Sequence, residues 1–278
     1  MSMQLADKNE YAPDSFITFK KQFIPMKKTF VVLTLLTIAH FGVMGQTEMI
    51  AHRGSWKNTK VPQNSLAALN KSVEQKAWGS EFDVHLTKDD VLVVNHDQDF
   101  YGIDIATSTY EELLAKTHPN GESISTAEAY LKEGLKQKGT KLIYELKTNK
   151  LGTERTLKSV ELTVDLVKKL KADEQIEYIA FSYDACLKLR ALDKKAKVHY
   201  LNGDKSPKEI KDDDLSGLDY HLSVYKKHPE WIGEAKKLGL KTNVWTVNRE
   251  DDMHYFIDQK IDYITTDEPE LLNTILNK

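Results

Sequence analysis

The chain is poor in cysteine and has no strong excess of charge. Only one cysteine, Cys186, occurs among 278 residues, which excludes a disulfide bond within the chain. The formal net charge is −3, and lysine and arginine are interspersed among acidic residues. A nucleic acid is therefore not expected as a partner, because surfaces that bind polyanions usually carry a concentrated basic patch.

Glycine-rich phosphate-binding loops are also absent. Neither GxGxxG nor GxxxxGK[ST] can be found in the sequence. An open doubly wound sheet usually carries such a loop between a strand and the following helix. The open doubly wound sheet is therefore the alternative fold and not the preferred one.

No apolar run is long enough for a membrane-spanning helix, but the N-terminal region contains a shorter one. Met26-Lys27-Lys28 supplies a basic start, Phe30–Met44 is largely apolar, and Val43-Met44-Gly45 ends in a small residue. The run is shorter than the ~20 residues that a spanning helix needs. This pattern predicts a signal peptide over residues 26–45, with residues 1–25 interpreted as a non-native or disordered extension.

The predicted export, together with a single cysteine, indicates a periplasmic or secreted bacterial protein. We expect no stable membrane insertion after the signal peptide is cleaved, and an uncleaved anchor is the alternative. The oligomeric state cannot be read from the sequence.

Strand-like runs recur along residues 46–278, and helical patterns separate most of them. These runs are Met49–His52, Glu81–His85, Val91–Asn95, Leu142–Lys147, Tyr178–Ser182, Val198–Leu201, Leu218–Val224, Thr242–Val247 and Asp262–Thr266. The third run follows the second too closely for a helical crossover, so we interpret it as a hairpin return. The remaining runs predict a (β/α)8 TIM barrel, for which ~250 residues are typical. Residues 98–125 fit neither period and predict a small insertion after the second strand.

Two carboxylates are predicted to lie on the same face of one strand. Glu81 and Asp83 are two residues apart, which places their Cα atoms roughly 6–7 Å apart on one side of the strand. Buried carboxylates this close repel unless a cation intervenes, and Mg²⁺ or Ca²⁺ prefers such oxygen ligands. Glu145 is the candidate third ligand. Lys147 shares its face and is a candidate contact for an anionic substrate oxygen, with a mutual surface ion pair as the alternative.

Two histidines also follow apolar strands. His52 and His96 are typical of a general base and a general acid on opposite sides of a reacting phosphorus. Arg53 is suited to bidentate recognition of phosphate. Asp97 either orients His96 or caps the loop, and both interpretations are kept.

Two residues near the C-terminal end of the chain complete the set of candidates. Trp245, on the seventh barrel strand, either walls the pocket beside an apolar or glycerol-like group or packs in the core. Asp267, after the eighth strand, is assigned to the following turn.

These residues together resemble the glycerophosphodiester phosphodiesterase family. The resemblance runs from Met49 to about Ile275 and rests on an ordered set of motifs. They are Ala51-His52-Arg53-Gly54, Glu81-Phe82-Asp83-Val84, Thr87-Lys88-Asp89, Val93-Val94-Asn95-His96-Asp97, Glu145-Leu146-Lys147, Val244-Trp245-Thr246-Val247-Asn248 and Ile264-Thr265-Thr266-Asp267-Glu268-Pro269.

The resemblance implies a metal-dependent enzyme of lipid metabolism that hydrolyses small glycerophosphodiesters to glycerol 3-phosphate and an alcohol. It implies a TIM barrel with an inserted segment after the second strand. Its implied metal ligands are Glu81, Asp83 and Glu145, its acid–base pair is His52 and His96, and its phosphate contacts are Arg53 and Lys147.

One motif departs from the family pattern. The family usually has Pro-Glu-Asn-Thr after the first strand, whereas this chain has Pro62-Gln63-Asn64-Ser65. Gln63 keeps the size and hydrogen-bonding capacity of glutamate but loses its charge. Asn64 is retained and is a candidate hydrogen-bonding group for the substrate or for His52.

Three alternative functions remain at this point. The loss of charge at Gln63 is compatible with a weakened or non-catalytic barrel that binds glycerophosphodiesters. A glycoside hydrolase would also use paired acids, but its carboxylates flank the scissile bond rather than sharing one strand. A relative that cleaves inositol phosphodiesters would use similar chemistry on another head group.

Overall fold

The computed structural model of the protein describes residues 46–277. The predicted signal peptide over residues 26–45 and the extension before it lie outside the described residues, as does Lys278. The strands are β1 (Glu48–Ala51), β2 (Gly79–Leu86), β3 (Leu92–Val94), β4 (Asp99–Phe100), β5 (Ile103–Asp104), β6 (Lys141–Leu146), β7 (Ile176–Ala180), β8 (Val198–Tyr200), β9 (Gly217–His221), β10 (Lys241–Trp245) and β11 (Tyr263–Thr266).

Helices follow most of the strands. They are α1 (Leu66–Glu74), α2 (Tyr110–Leu113), α3 (Ala127–Gly134), α4 (Thr153–Leu170), α5 (Tyr183–Leu192), α6 (Pro207–Asp212), α7 (Leu222–Lys227), α8 (Glu230–Lys237), α9 (Glu250–Asp258) and α10 (Pro269–Leu276). Within residues 46–277, none of these helices combines the length and the apolar composition needed to cross a bilayer.

Eight parallel strands close into a barrel, which confirms the predicted fold class. Their order around the barrel is β1, β2, β6, β7, β8, β9, β10 and β11, and β11 pairs with β1 to complete the ring. The closure excludes the open doubly wound sheet. The hairpin interpretation is also confirmed, because β3 pairs antiparallel with β2 in the register Val84↔Val94.

Alternation along the strands separates two packing zones. Outside the barrel, Phe82 of β2 stacks on Tyr130 of α3 with ring centroids 4.4 Å apart, and both side chains are fully buried. The lumen contains a second apolar cluster, composed of Ile50, Ile143, Ile179, Leu201 and Tyr263. The next inward-facing residues toward the carboxyl ends of the strands lie at the mouth of the barrel. The polar groups are clustered there.

The lumen also contains a buried ion-paired carboxylate. Glu177 Oε2 lies 3.2 Å from His199 Nε2, and its Oε1 accepts a hydrogen bond from Lys197 Nζ at 3.0 Å. Burial alone would raise the pKa of Glu177, but its hydrogen bonds with His199 and Lys197 lower that pKa to about 2. This carboxylate is therefore satisfied by protein groups alone.

The segment between β3 and α3 forms a small packed unit of its own. It contains the antiparallel pair of β4 and β5 and the short helix α2. Buried side chains of this segment and of β3 form a separate cluster, composed of Val93, Phe100, Ile105, Leu113 and Ile124. Apart from Val93 of β3, these elements and cluster residues lie within residues 98–125. This is the stretch where the sequence pattern matched neither a barrel strand nor a barrel helix.

Gly217 of β9 occupies a position with no room for a side chain. An added Cβ would lie 2.2 Å from the carbonyl oxygen of Lys241 and 2.6 Å from His199 Nδ1. One of these atoms belongs to the backbone of the neighbouring strand, so the clash cannot be relieved by rotating a side chain.

We expect Gly217→Ala to lower the free energy of unfolding by about 1–3 kcal/mol, the usual cost of overpacking. The matched control is Gly233→Ala in α8, where an added Cβ would meet nothing within 4 Å. Because alanine favours a helix over glycine by up to ~1 kcal/mol, the control should be neutral or stabilising. Urea unfolding of both variants tests this, and equal stabilities would contradict the packing argument.

Candidate active site

Most of the residues singled out in the sequence border one cavity of about 120 Å³. Several of these residues lie at or just after the carboxyl ends of barrel strands, where the active sites of TIM barrels are generally found. The predicted residues that line the cavity are His52, Arg53, Glu81, His96, Glu145, Lys147 and Trp245. Asp83 is 1% exposed and joins the carboxylate cluster described next, whereas Asn64 is not among the lining residues.

Three buried carboxylates converge beside this cavity. One oxygen from each of Glu81, Asp83 and Glu145 can be chosen so that all three lie within 4.8 Å of one another. The first two come from β2, and the third comes from the adjacent strand β6, where it is directly opposite Asp83 in the parallel register. Strand alternation therefore brings the first two to one face, and strand pairing adds the third.

The proximity of these carboxylates changes their proton affinities. Burial, followed by the charge of Asp83, raises the pKa of Glu81 and raises that of Glu145 to about 7. Burial would also raise the pKa of Asp83, but the positive charge of Lys147 leads the effects that lower it to about 2. The cluster thus holds one firmly ionised carboxylate and two that compete for protons.

The donor set fits a hard divalent cation. Glu81 Oε1 is buried and has no hydrogen-bond partner within the described part of the chain, while its Oε2 accepts from the backbone N–H of Arg53 at 2.7 Å. Carboxylate oxygens from several residues are the ligands that Mg²⁺ and Ca²⁺ prefer. Glu81 Oε1 is thus an acceptor without a donor in a cluster of buried carboxylates. A cation bound there would compensate the negative charge of the cluster.

Two cationic side chains contact the same cluster. Lys147 Nζ lies 2.8 Å from Glu145 Oε1 and 3.1 Å from Asp83 Oδ1. Burial tends to lower the pKa of Lys147, but the charges of both carboxylates outweigh it and raise that pKa. Arg53 Nε lies 3.9 Å from Asp83 Oδ2. The alternative ion pair of Lys147 with Glu145 is therefore present, but it is largely buried and shared with Asp83 instead of lying on the surface.

His52 is held by a residue to which the sequence analysis gave a different role. Its Nδ1 lies 2.7 Å from Asp267 Oδ1, and Asn248 Nδ2 donates to Asp267 Oδ2 at 2.7 Å. Burial would raise the pKa of Asp267, but its hydrogen bond with His52 lowers it. The assignment of Asp267 to the following turn missed this contact. The available signal was barrel closure, which puts the end of the eighth strand beside the end of the first.

His96 is oriented from two sides. Its Nδ1 lies 2.8 Å from Asp97 Oδ1, so of the two interpretations of Asp97 the structure shows the orienting one. His85 Nε2 lies 3.1 Å from the backbone oxygen of His96, which fixes the loop behind the ring. Burial, together with the charge of Lys147, lowers the pKa of His96, although the charge of Asp83 opposes this.

Asn64 positions one of the three clustered carboxylates. Its Nδ2 donates to Asp83 Oδ2 at 2.8 Å, its Oδ1 accepts from the backbone N–H of Asp83 at 3.0 Å, and the residue is 1% exposed. Both ends of the amide are thus used to position Asp83, and within the described residues the hydrogen bonds of Asn64 do not include His52. The neighbouring Gln63 accepts a hydrogen bond from Arg53 Nη1 at 2.8 Å.

Trp245 borders the cavity rather than the closed core. Its ring makes edge contacts with Phe181 and His221, at centroid distances of 5.6 and 5.2 Å. Its Nε1 donates to the backbone oxygen of Asp219 at 2.9 Å. Asp219 also lines the cavity and was not identified from the sequence. The one sequence feature that could have identified Asp219 was its inward-facing position on the strand that begins at Gly217.

Comparison with known proteins gives consistent results. Residues 52–271 match the model of the glycerophosphoryl diester phosphodiesterase family. A glycerophosphodiester phosphodiesterase from Caldanaerobacter subterraneus subsp. tengcongensis is 29% identical over 250 residues, covering 84% of this chain and 99% of the relative.

Solved structures of related proteins share the fold. A glycerophosphodiester phosphodiesterase from Parabacteroides distasonis is 45% identical, with a TM-score of 0.81 over 84% of this chain and 98% of its own. A phosphodiesterase from Oleispira antarctica, solved with its product sn-glycerol 3-phosphate, is 21% identical. Its TM-score is 0.72 over 84% of this chain and 98% of its own, which supports the fold alone.

Cation binding is expected to weaken as the pH falls below about 7. Burial and the charge of Asp83 raise the pKa of Glu145 to about 7 and also raise that of Glu81, so a cation must displace protons there. Each displaced proton costs roughly tenfold in affinity per pH unit below the pKa. Calorimetric titration with Mg²⁺ and Ca²⁺ between pH 6 and 8 measures the effect.

The control for this titration is Glu177→Gln, which removes a buried carboxylate that already has protein partners. It should keep the pH profile of cation binding. An affinity that stays constant between pH 6 and 8 in the unmodified protein would contradict proton competition at the carboxylate cluster.

Proposed function

The chain belongs to the glycerophosphoryl diester phosphodiesterase family, and we propose that it hydrolyses glycerophosphodiesters to glycerol 3-phosphate and an alcohol. The observation that carries the proposal is the convergence of three buried carboxylates within 4.8 Å, beside a cavity that two histidines and two cationic side chains also line. This combination serves a reaction in which negative charge develops on phosphorus and protons move on both sides of it.

The carboxylates of Glu81, Asp83 and Glu145 would hold the divalent cation, Mg²⁺ or Ca²⁺. When bound, such a cation polarises a phosphate oxygen as a Lewis acid. Asn64 would contribute indirectly, since both of its amide atoms hold Asp83 in place. The orphaned Oε1 of Glu81 supports this assignment.

Arg53 and Lys147 are proposed to bind the phosphate. Arg53 lines the cavity, and its Nε has no hydrogen-bond partner among residues 46–277, so the guanidinium is placed to bind a phosphate there. Lys147 Nζ lies beside two of the proposed metal ligands, so a phosphate oxygen near the cation would also be near this ammonium group. Fixed positive groups at that point stabilise the additional negative charge of the transition state without reorganisation of solvent.

His52 is proposed as the general base and His96 as the general acid. With Nδ1 of His52 engaged by Asp267, its Nε2 is left to take a proton from the nucleophile, and Asp267 stabilises the resulting imidazolium. The nucleophile is either water or a neighbouring hydroxyl of the substrate. A new P–O bond forms, the P–O bond to the alcohol breaks, and His96 gives a proton to the departing oxygen. With water as nucleophile this step gives glycerol 3-phosphate directly, whereas with a substrate hydroxyl it gives a cyclic phosphodiester, which one water then opens to the same product.

Direct assay of the purified protein tests the activity. Glycerophosphocholine, glycerophosphoethanolamine and glycerophosphoinositol are supplied with Mg²⁺ or Ca²⁺, and glycerol 3-phosphate is measured enzymatically. We expect release of glycerol 3-phosphate that a chelator abolishes and that added cation restores. Binding without turnover would instead indicate the non-catalytic barrel suggested by Gln63, and release of inositol phosphate would indicate the inositol-specific relative.

Replacement of either histidine tests the acid–base roles. His52→Ala and His96→Ala should each lower kcat by about 10²–10⁴-fold, the usual contribution of a positioned acid or base. His228→Ala is the matched control, because this ring stacks on Trp231 at 4.3 Å and does not line the cavity. Activity close to that of the unmodified protein in either site variant would reject the proposed roles.

The cellular location is a separate proposal. The basic start and apolar run over residues 26–45 support export to the periplasm or the cell exterior, with residues 46–278 as the mature enzyme. Fractionation of expressing cells, followed by N-terminal sequencing of the mature protein, would detect cleavage near Gly45. Retention of the full chain in the cytoplasm would refute export.

A further inference from the structure

Asp219 of β9 is a buried carboxylate that the proposed mechanism does not use. It is 2% exposed, lines the same cavity as the carboxylate cluster, and its Oδ1 has no hydrogen-bond partner in the described part of the chain. Buried charged groups are normally paired or hydrogen-bonded, because removing a carboxylate from water is unfavourable. Because Asp219 also lines the cavity, a donor on a bound ligand would complete the hydrogen bonding of its carboxylate.

The contacts of Asp219 with the described residues leave one of its carboxylate oxygens unused. Asn243 of β10 is directly opposite it in the parallel register, and Trp245 Nε1 donates to its backbone oxygen at 2.9 Å. These contacts hold the residue in place without using Oδ1. Glu177 provides the contrast within the same barrel, since His199 and Lys197 satisfy both of its oxygens.

The position of Asp219 defines what it could contact. β9 is the sixth strand of the barrel and β2 is the second, so the two strands face each other across the lumen of an eight-stranded ring. The cavity therefore spans the lumen from Glu81 and Glu145 on one side to Asp219 on the opposite wall. Ile179 and Leu201 provide apolar surface along that path.

We propose that Asp219 accepts a hydrogen bond from a free hydroxyl of the glycerol group, and so selects diesters whose retained group carries a hydroxyl. This inference rests on the proposed function of the same cavity. The volume of about 120 Å³ suits a three-carbon polyol attached to a phosphate. The apolar wall accommodates the carbon chain, and the carboxylate of Asp219 offers an acceptor to a hydroxyl of the ligand.

Equilibrium binding tests the inference without dependence on turnover. Calorimetry in the presence of Mg²⁺ compares glycerol 3-phosphate with n-propyl phosphate, which has the same carbon chain and phosphate but no hydroxyl. The unmodified protein should prefer glycerol 3-phosphate by at least about tenfold, because a site built to hydrogen-bond a hydroxyl rejects the analogue that lacks it. Equal binding of the two ligands would overturn the inference.

The variant Asp219→Asn separates recognition from structure. It should reduce the preference for glycerol 3-phosphate, because an amide oxygen accepts a weaker hydrogen bond than a carboxylate. Binding of n-propyl phosphate should change by less than about threefold, the scatter expected for a contact that this ligand does not make. Glu177→Gln is the matched control, because it also neutralises a buried carboxylate of the barrel and should retain the preference. If both ligands weaken equally in Asp219→Asn, the residue is structural and the inference is wrong.

A second variant and a third ligand serve as further controls. Asp219→Ser provides a second, smaller replacement if Asp219→Asn does not fold, and thermal unfolding identifies that case. Choline phosphate is the third ligand, and tighter binding of it than of glycerol 3-phosphate would show that the carboxylate recognises a cation instead. Absence of glycerophosphodiester turnover in the unmodified protein would refute the proposed function, while the ligand comparison would still decide the role of Asp219.

Discussion

Electrostatic repulsion between the buried carboxylates is the constraint around which the mouth of the barrel is organised. Glu81, Asp83 and Glu145 place oxygens within 4.8 Å of one another, away from water. Lys147 pairs with two of them, and the backbone N–H of Arg53 donates to the third. The raised pKa values of Glu81 and Glu145 show that this compensation is incomplete, and the remaining demand for positive charge is what a divalent cation would meet.

The barrel supplies each part of the site through a different geometric rule. Alternation along β2 brings Glu81 and Asp83 to one face, and parallel pairing with β6 puts Glu145 directly opposite Asp83. Closure of the ring pairs β11 with β1, which places Asp267 beside His52. The same closure sets Asp219 on the wall opposite β2, so the cavity has a carboxylate cluster on one side and an acceptor on the other.

The substitution of glutamine in the Pro62-Gln63-Asn64-Ser65 motif has a defined local consequence. Gln63 still accepts a hydrogen bond from Arg53, so the guanidinium remains anchored. Because the amide is neutral, it does not offset the positive charge of Arg53, which stays available to Asp83 and to a bound phosphate. The motif therefore keeps its positioning function in Arg53 and, through Asn64, in Asp83.

The sequence by itself determined the barrel, the hairpin after the second strand and the set of polar residues at the strand ends. These features follow from short-range periodicity and from the spacing of residues along single strands. The contacts of Asp267, Asn64 and Asp219 were decided only by the tertiary structure. Each depends on which residues of separate elements meet in the folded barrel, and the periodicity within a single strand holds no information about those contacts.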